Sequence, residues 1–177
     1  MNRIKVASWN VNSVRARIDL LLSWLKENNP DIILLQEIKA RKEDFPYNAF
    51  DNFNYNIQIN GQKSYNGVAI LSKFPLSDIE VNLPSYEDSQ SRYIEAWVNY
   101  EDKGFRVASV YAPNGNPINS DKYAYKLKWL NNFYVHAKKL LASEEKIILA
   151  GDYNICPTKN DVANENMILN DAIYQTE

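Results

Sequence analysis

The chain has 177 residues, 45% of them hydrophobic and 24% charged, which is the balance of a globular protein with a sizeable core and excludes an intrinsically disordered chain. Its 20 lysine and arginine residues against 22 aspartate and glutamate residues give a net charge of −2, which excludes a strongly basic nucleic-acid coat protein. A local basic patch on an enzyme stays compatible with this average. A single cysteine and a single histidine exclude an internal disulfide framework and a cysteine- or histidine-rich metal centre.

No apolar run in the sequence is long enough to span a bilayer, and the first residues show no signal-peptide pattern. We therefore expect a cytoplasmic protein with no membrane partner. If the chain folds on its own, we expect a monomer.

The first 37 residues predict a β-α-β unit. A short strand over 4–9 is followed by turn- and cap-forming residues. Apolar residues then recur at helical spacing from Val14 to Leu25, and Pro30 stops that helix. The run 32–35 is continuously apolar, which is typical of a strand covered on both faces.

The middle of the chain predicts short strands at 55–59, 68–72 and 79–83 and a hairpin of strands 91–100 and 105–111 around a loop at 101–104. A polar loop over 112–121 leads into a long amphipathic helix. The apolar residues that mark this helix are Leu127, Leu130, Tyr134, Ala137 and Leu141. His136 on this helix is expected to be exposed or half-buried. A buried strand at 147–150 and then a polar loop with a weak helix complete an α/β sandwich.

Four of the predicted strands end in polar residues that can do chemistry. In α/β sheets, ligands commonly bind off the carboxyl ends of the strands. If these strands are neighbours that run in matching directions, their polar ends converge; the residues are Asn10, Glu37, Tyr111, Asp152 and Asn154. The sequence has neither a serine–histidine pair nor a glycine-rich phosphate loop to suggest another chemistry.

Carboxylates and amide oxygens suit Mg²⁺ or Mn²⁺ better than zinc. A carboxylate beside such an ion can orient or deprotonate a water, while amide N–H and phenol O–H groups can stabilise charge on a phosphoryl oxygen. These residues therefore favour metal-assisted hydrolysis of a phosphate ester. The alternative is structural, because Asn, Asp and Gly after a strand are ordinary turn formers.

Six sequence blocks, in order over residues 4 to 157, resemble the exonuclease III family of abasic-site endonucleases, within the endonuclease/exonuclease/phosphatase superfamily. They are SWNVNSVRAR from Ser8, LQEIK from Leu35, GQKSYNGVAILS from Gly61, SRYIEA from Ser91, YAPNG from Tyr111 and GDYNICP from Gly151. The resemblance implies a deoxyribonuclease I-like four-layer α/β sandwich. It also implies a nuclease that cleaves duplex DNA 5′ to an abasic site and removes nucleotides from 3′ ends, using Mg²⁺ or alternatively Mn²⁺.

The same resemblance implies a role for each matching residue. Glu37 corresponds to the principal metal ligand, with Asn10 and Asn12 lining the metal site. Asp152 would orient or activate the attacking water, Asn154 would hold Asp152 and the phosphate, and Tyr111 would lie beside the scissile phosphate. Contacts to the substrate or to its charged surroundings would come from Arg92, Asn114 and Lys39. Asn66 would also touch DNA, although its place in a turn is explained by turn chemistry alone.

The family pattern continues into a second half of the sandwich that ends in an Ser-Asp-His block, for which this sequence has no counterpart. We therefore expect residues 1–177 to be a single domain that is incomplete at its C-terminal side. Two alternative functions stay open: an inactive remnant that at most binds DNA, and a phosphomonoesterase of the same superfamily.

Overall fold

A computed structural model describes residues 3–101 and 103–175. The strands are β1 Val6–Asn10, β2 Ile32–Gln36, β3 Asn56–Asn60, β4 Val68–Ser72, β5 Leu76–Val81, β6 Tyr93–Tyr100, β7 Lys103–Tyr111 and β8 Ile147–Asp152. The helices are α1 Ile18–Asn28 and α2 Asp121–Ala142, with short 3₁₀ helices at Lys42–Asp44, Tyr47–Phe53, Lys159–Asp161 and Glu165–Met167. Residue 102 of the predicted hairpin loop lies outside the described residues, as do the two residues at each end of the predicted domain.

The strands form two four-stranded sheets, in the orders β1-β2-β4-β3 and β5-β6-β7-β8. In each sheet one pair is parallel: β1 with β2, and β7 with β8. The remaining pairs are antiparallel. The predicted β-α-β unit is confirmed, because α1 connects the parallel strands β1 and β2.

Strand β2 shows how the sheets and helices form four layers. All five of its residues are buried. Ile33 and Leu35 face α1 and the Tyr47–Phe53 helix, whereas Ile32 and Leu34 pack against the second sheet. The opposite face of the second sheet is covered by α2. The predicted four-layer α/β sandwich is therefore confirmed.

The long helix α2 exists as predicted, but it buries a different face. Tyr134 and Leu141, which marked the predicted apolar stripe, are 59% and 68% exposed. The buried residues lie one position earlier along the helix: Tyr123, Lys126, Trp129, His136 and Leu140. Trp129 is 1% exposed and stacks on Phe133 on this face, and burial of such large aromatic surfaces favours this orientation.

His136 is buried, so the expectation of an exposed or half-buried histidine was wrong. Its Nε2 donates a hydrogen bond to Glu95 Oε2 at 2.8 Å. Glu95 lies on β6 and is 2% exposed. The Tyr93 hydroxyl also donates to this carboxylate, and Arg106 Nη1 lies 3.4 Å from its other oxygen. This group of four side chains connects α2 to the second sheet through a satisfied buried charge.

Within the described ranges, no helix combines the length and apolar character needed to cross a membrane.

Glu95→Gln is expected to lower the free energy of unfolding by about 3 kcal/mol at neutral pH, because it leaves Arg106 and His136 without their buried anion. Burial raises the pKa of Glu95, but hydrogen bonds from His136 and Tyr93 and the nearby positive charge outweigh it and hold the pKa below the ordinary 4.5. Ionised Glu95 therefore stabilises the fold fully above the ordinary pKa of 4.5 that it has in the unfolded chain. This stabilisation is lost as the pH falls through the lower pKa that Glu95 has in the folded protein.

Urea unfolding of both proteins between pH 3.5 and 7.5 measures this difference, which should shrink in the acid range. The exposed Glu80→Gln serves as the control. A difference between wild type and Glu95→Gln that stays constant with pH would contradict the assignment.

Candidate active site

The carboxyl ends of four strands meet at one end of the sandwich. In the parallel pairs, Asn10 lies opposite Gln36 and Tyr111 lies opposite Asp152. Strands β1 and β8, from different sheets, pack against each other. The condition that the sequence left open, neighbouring strands with matching directions, is therefore met.

Beneath this end, Gln36 joins the two sheets. It is 1% exposed, and its Nε2 donates to Ser109 Oγ of the second sheet at 3.0 Å and to the Leu34 carbonyl at 3.0 Å. Ser109 Oγ in turn donates to the Leu35 carbonyl at 2.8 Å. The sheets are thus linked one residue before Glu37, which restricts where its carboxylate can lie.

The amide of Asn10 connects the two carboxylates of the site. Its Nδ2 donates to Glu37 Oε1 and to Asp152 Oδ2, at 2.8 Å each. The Tyr111 hydroxyl donates to the same Glu37 oxygen at 2.9 Å. Four of the residues predicted from strand ends, contributed by both sheets, thus lie in one hydrogen-bonded group.

Glu37 adopts a left-handed backbone conformation with φ of 50°. This conformation costs a residue with a side chain about 1–2 kcal/mol. Neighbouring backbone bonds hold it: Ser13 N–H donates to the Glu37 carbonyl at 2.7 Å, and Ile38 N–H donates to the Gly67 carbonyl at 3.1 Å. Gly67 allows this close approach, because a Cβ there would lie 2.6 Å from Ile38 Cγ1.

The surroundings of Glu37 favour its ionised form. Burial raises its pKa, but hydrogen bonds from Asn10, Lys39 and Tyr111 and the Lys39 charge outweigh burial, so the pKa of Glu37 lies below its ordinary value. Burial raises the pKa of Tyr111 to about 12, and the negative charge of Glu37 and the hydrogen bond that Tyr111 donates to it add to this effect. At neutral pH the site therefore presents a carboxylate and a protonated phenol.

Lys39 and Asn12 lie on the open side of Glu37. The Lys39 ammonium is 3.0 Å from Glu37 Oε2 and donates to Asn12 Oδ1 at 2.5 Å. Asn12 also donates its backbone N–H to Asn10 Oδ1 at 3.1 Å. The side-chain oxygens of Glu37 and Asn12 thus both contact the positive charge of Lys39.

Asp152 ends β8, and Asn154 lies in the short turn that follows. Asp152 Oδ1 accepts the Asn154 backbone N–H at 3.0 Å. The Asn154 side chain donates to the Ala112 carbonyl at 2.9 Å, and the Ala112 N–H donates to the Asp152 carbonyl at 2.9 Å. The turn after β8 is thus hydrogen-bonded to the residue that follows Tyr111.

Arg92 lies at the side of the site, with its guanidinium 4.8 Å from the centre of the Tyr111 ring. Gln90 Oε1 accepts from Arg92 Nε and Nη2 at 2.9 and 2.7 Å, and also from Asn66 Nδ2 at 3.1 Å. Asn66 is 5% exposed and donates to Gln62 as well. The side-chain amide of Asn66 therefore links its own turn to the loop that carries Gln90.

Asn114 is exposed and lies in the loop after β7, with its Oδ1 accepting from the Asn116 N–H at 3.1 Å. The structure thus brings eight of the ten predicted site residues into direct contact. Asn114 lines a cavity with Arg92 at the edge of this group, and Asn66 is linked to Arg92 through Gln90.

The donor set suits a hard divalent cation. Within the part of the chain that the structure describes, no three histidine, cysteine, aspartate or glutamate side chains gather as a metal-binding group. Glu37 provides a carboxylate, and Asn10 and Asn12 provide amide oxygens, with the Asp152 carboxylate linked to Glu37 through the Asn10 amide. Mg²⁺ commonly binds through one or two carboxylates plus water and substrate phosphate, so this oxygen set fits it.

Sequence reasoning missed three polar residues that support the site: Gln36, Gln90 and Lys126. Gln36 directly follows the continuous apolar run 32–35, and a polar residue at the end of a buried strand needs partners, which was the available signal. Lys126 carried no such signal, because the apolar stripe predicted for α2 lay one position later along the helix. Gln90 carried no such signal, since it lies in a polar loop.

Comparison with known proteins identifies the family to which this chain is similar. The Endonuclease/Exonuclease/phosphatase family matches residues 7–175. Exodeoxyribonuclease III of Haemophilus influenzae is 34% identical over 161 residues, which are 90% of this chain and 60% of that protein. An exodeoxyribonuclease of Bacillus subtilis is 29% identical over 180 residues, covering 98% of this chain and 68% of that protein.

Two solved structures are similar over 98% of this chain and 66% of theirs. One is a 3′ phosphatase from Neisseria bound to a product DNA hairpin, with a TM-score of 0.91 and 32% identity. The other is an AP endonuclease from Archaeoglobus fulgidus, with a TM-score of 0.89 and 33% identity. The chain spans between 60% and 68% of the length of these four relatives. By sequence and by fold, the chain belongs to the Endonuclease/Exonuclease/phosphatase family.

Proposed function

We propose that the chain is a DNA-repair nuclease that hydrolyses the phosphodiester 5′ to an abasic site, with 3′–5′ exonuclease activity as a second reaction. The observation that carries this proposal is the pair of carboxylates, Glu37 and Asp152, held on one amide of Asn10 beside the Tyr111 phenol. Exodeoxyribonucleases and an AP endonuclease among the relatives support the choice of DNA as substrate.

In the proposed reaction a water attacks the phosphorus atom, the bond to the leaving 3′ oxygen breaks, and that oxygen takes up a proton from solvent. Asp152 accepts the proton of that water, since its Oδ1 and Oδ2 are oriented by Asn154 and Asn10. The Tyr111 phenol keeps its proton at neutral pH and can donate to a phosphoryl oxygen. The guanidinium of Arg92 adds positive charge beside it.

Mg²⁺ is the proposed cofactor, with Mn²⁺ as the alternative, and Glu37 with Asn10 and Asn12 would hold it. Such an ion supplies positive charge to the phosphoryl oxygens of the substrate. The Lys39 ammonium contacts Glu37 Oε2 and Asn12 Oδ1, which belong to residues that would hold the ion. Lys39 would therefore have to move when a divalent cation binds there.

Duplex DNA with abasic sites or 3′ ends is the proposed partner. Contacts to its phosphates by Lys and Arg around the strand ends would make binding salt-dependent. Turning the abasic nucleotide out of the helix would bring its phosphate to the carboxylates. A cytoplasmic location and a monomeric state stay predictions.

A 3′ phosphatase is the second candidate function, because the Neisseria enzyme of that description is similar over nearly the whole chain. Hydrolysis of a 3′-terminal phosphate needs the same carboxylates and water, so the geometry serves both reactions. The difference lies in which DNA end or lesion reaches the site.

The first prediction concerns metal-dependent cleavage. The chain with Mg²⁺ is expected to cut a duplex carrying one abasic site, and Glu37→Ala is expected to reduce that rate by about 10⁴-fold, as removal of a member of a catalytic unit does. Gel analysis of labelled duplexes with an abasic site, a 3′ phosphate or an intact 3′ end measures all three activities. A folded wild-type chain that cleaves no better than Glu37→Ala would favour an inactive remnant.

Asp152→Asn tests the proton acceptor separately from cation binding. It keeps the size of the side chain and is expected to lower kcat by about 10²- to 10⁴-fold. Mg²⁺ titration of both proteins should give similar half-saturating concentrations. A variant that recovers its full rate at high Mg²⁺ would show that Asp152 serves in binding the cation instead.

Tyr111→Phe tests the phenol. Without its hydrogen bond, the pKa of Glu37 is expected to rise toward its ordinary value, so the carboxylate loses its proton at a higher pH. Titration of ¹³C-labelled glutamate carboxyls by NMR, with chelator present, measures this shift, with the exposed Tyr65→Phe as control. An unchanged pKa of Glu37 would contradict the hydrogen bond.

A further inference from the structure

Lys126 is a buried lysine on α2 that the proposed chemistry does not use. The residue is 2% exposed. Its ammonium donates to three backbone carbonyls: Asn154 at 2.6 Å, Ala172 at 2.7 Å and Asn114 at 3.2 Å. The three N–H groups of the ammonium therefore each have an acceptor.

The three carbonyls come from three different segments around the site. Asn114 belongs to the loop that follows Tyr111, and Asn154 belongs to the turn that follows Asp152. Ala172 belongs to the segment 171–173, far along the chain. One ammonium thus holds the loops that directly follow the phenol of Tyr111 and the proposed proton acceptor Asp152.

The same segments are packed closely around the lysine side chain. Gly115 has φ of 87°, and a Cβ there would lie 2.6 Å from Lys126 Cδ. Asn116 Nδ2 donates to Asp171 Oδ1 at 2.8 Å, and Asn116 Oδ1 accepts the Ala172 N–H at 2.8 Å. The loop after β7 and the segment 171–173 therefore close over Lys126 from both sides.

Burial of this charge has an energetic cost that an apolar residue would avoid. Burial lowers the pKa of Lys126, and the charges of Asp171 and Asp152 partly oppose that effect. A leucine on this stripe of α2 would pack without desolvating a charge. The contribution of the lysine is therefore its hydrogen bonds to the three segments, since a buried carbonyl that loses its donor is destabilised.

We propose that Lys126 is a positioning residue, whose buried ammonium sets the loops of Tyr111 and of Asp152–Asn154 relative to each other through the carbonyls of Asn114, Asn154 and Ala172. Its effect on catalysis rests on the proposed nuclease function, whereas its effect on the loops does not. The two parts are tested by separate measurements.

The loop arrangement is tested by hydrogen exchange with mass spectrometry on wild type, Lys126→Met and Lys139→Met. Met keeps the length of the side chain and removes the donors, and Lys139 is an exposed lysine on the same helix. We expect Lys126→Met to speed exchange about tenfold in peptides over 112–116, 153–156 and 171–174, with β2 unchanged. Lys139→Met should match wild type.

Equal acceleration in β2 and in the three segments would mean a general loss of stability and would overturn the proposal, as would unchanged exchange in the segments. If Lys126→Met does not fold, Lys126→Gln retains part of the donor capacity. Lys126→Gln should speed hydrogen exchange in the same three segments, by a smaller factor than Lys126→Met.

The catalytic part is tested by kcat and KM on the abasic duplex at a temperature where all variants are folded. Lys126→Met is expected to lower kcat about 10- to 100-fold with KM changed less than about threefold, because misplaced groups cost rate more than binding. An unchanged kcat would overturn the positioning role. If wild type itself cleaves nothing, the proposed function fails, and the exchange measurement alone decides the role of Lys126 in the loops.

Discussion

The amide of Asn10 holds two carboxylates from different sheets, and the arrangement of the site depends on that contact. Asn10 and Glu37 end strands of the first sheet, while Asp152 and Tyr111 end strands of the second. The sheets must therefore keep a constant offset for the four side chains to meet. The apolar layer between the sheets and the link from Gln36 to Ser109 provide that constraint.

Several residues around the site have a strained left-handed backbone, as do turn residues elsewhere in the sandwich and Asp78 within β5. Asn12, Glu37, Lys39 and Asn154 all have positive φ between 43° and 51°. Such conformations persist where surrounding contacts over-determine them, and they concentrate at functional sites. Here the packing of the strands outweighs the cost of the strained residues at their carboxyl ends. That strain orients the side chains of the site toward one another.

Helix α2 contributes more than a cover for the second sheet. Its buried face carries two side chains that donate hydrogen bonds from nitrogen, Lys126 and His136, and each binds a different part of the structure. His136 meets the Glu95 carboxylate inside the outer layer, whereas Lys126 meets three carbonyls at the end of the sandwich that carries the site. Within the described residues, every buried side-chain polar atom has a hydrogen-bond partner, so these groups are compatible with a well-packed interior.

The sequence by itself was sufficient for the fold class, the β-α-β start, both long helices and the strand ends that carry Asn10, Glu37, Tyr111 and Asp152. These features depend on local periodicity and on polar residues that directly follow apolar runs, which a linear pattern contains. The buried face of α2 and the roles of Lys126, His136, Gln36 and Gln90 were decided only by the tertiary structure. A polar side chain can be buried only if distant segments supply its partners. Asn114, Asn154 and Ala172 become partners of Lys126 only when the sandwich closes around it.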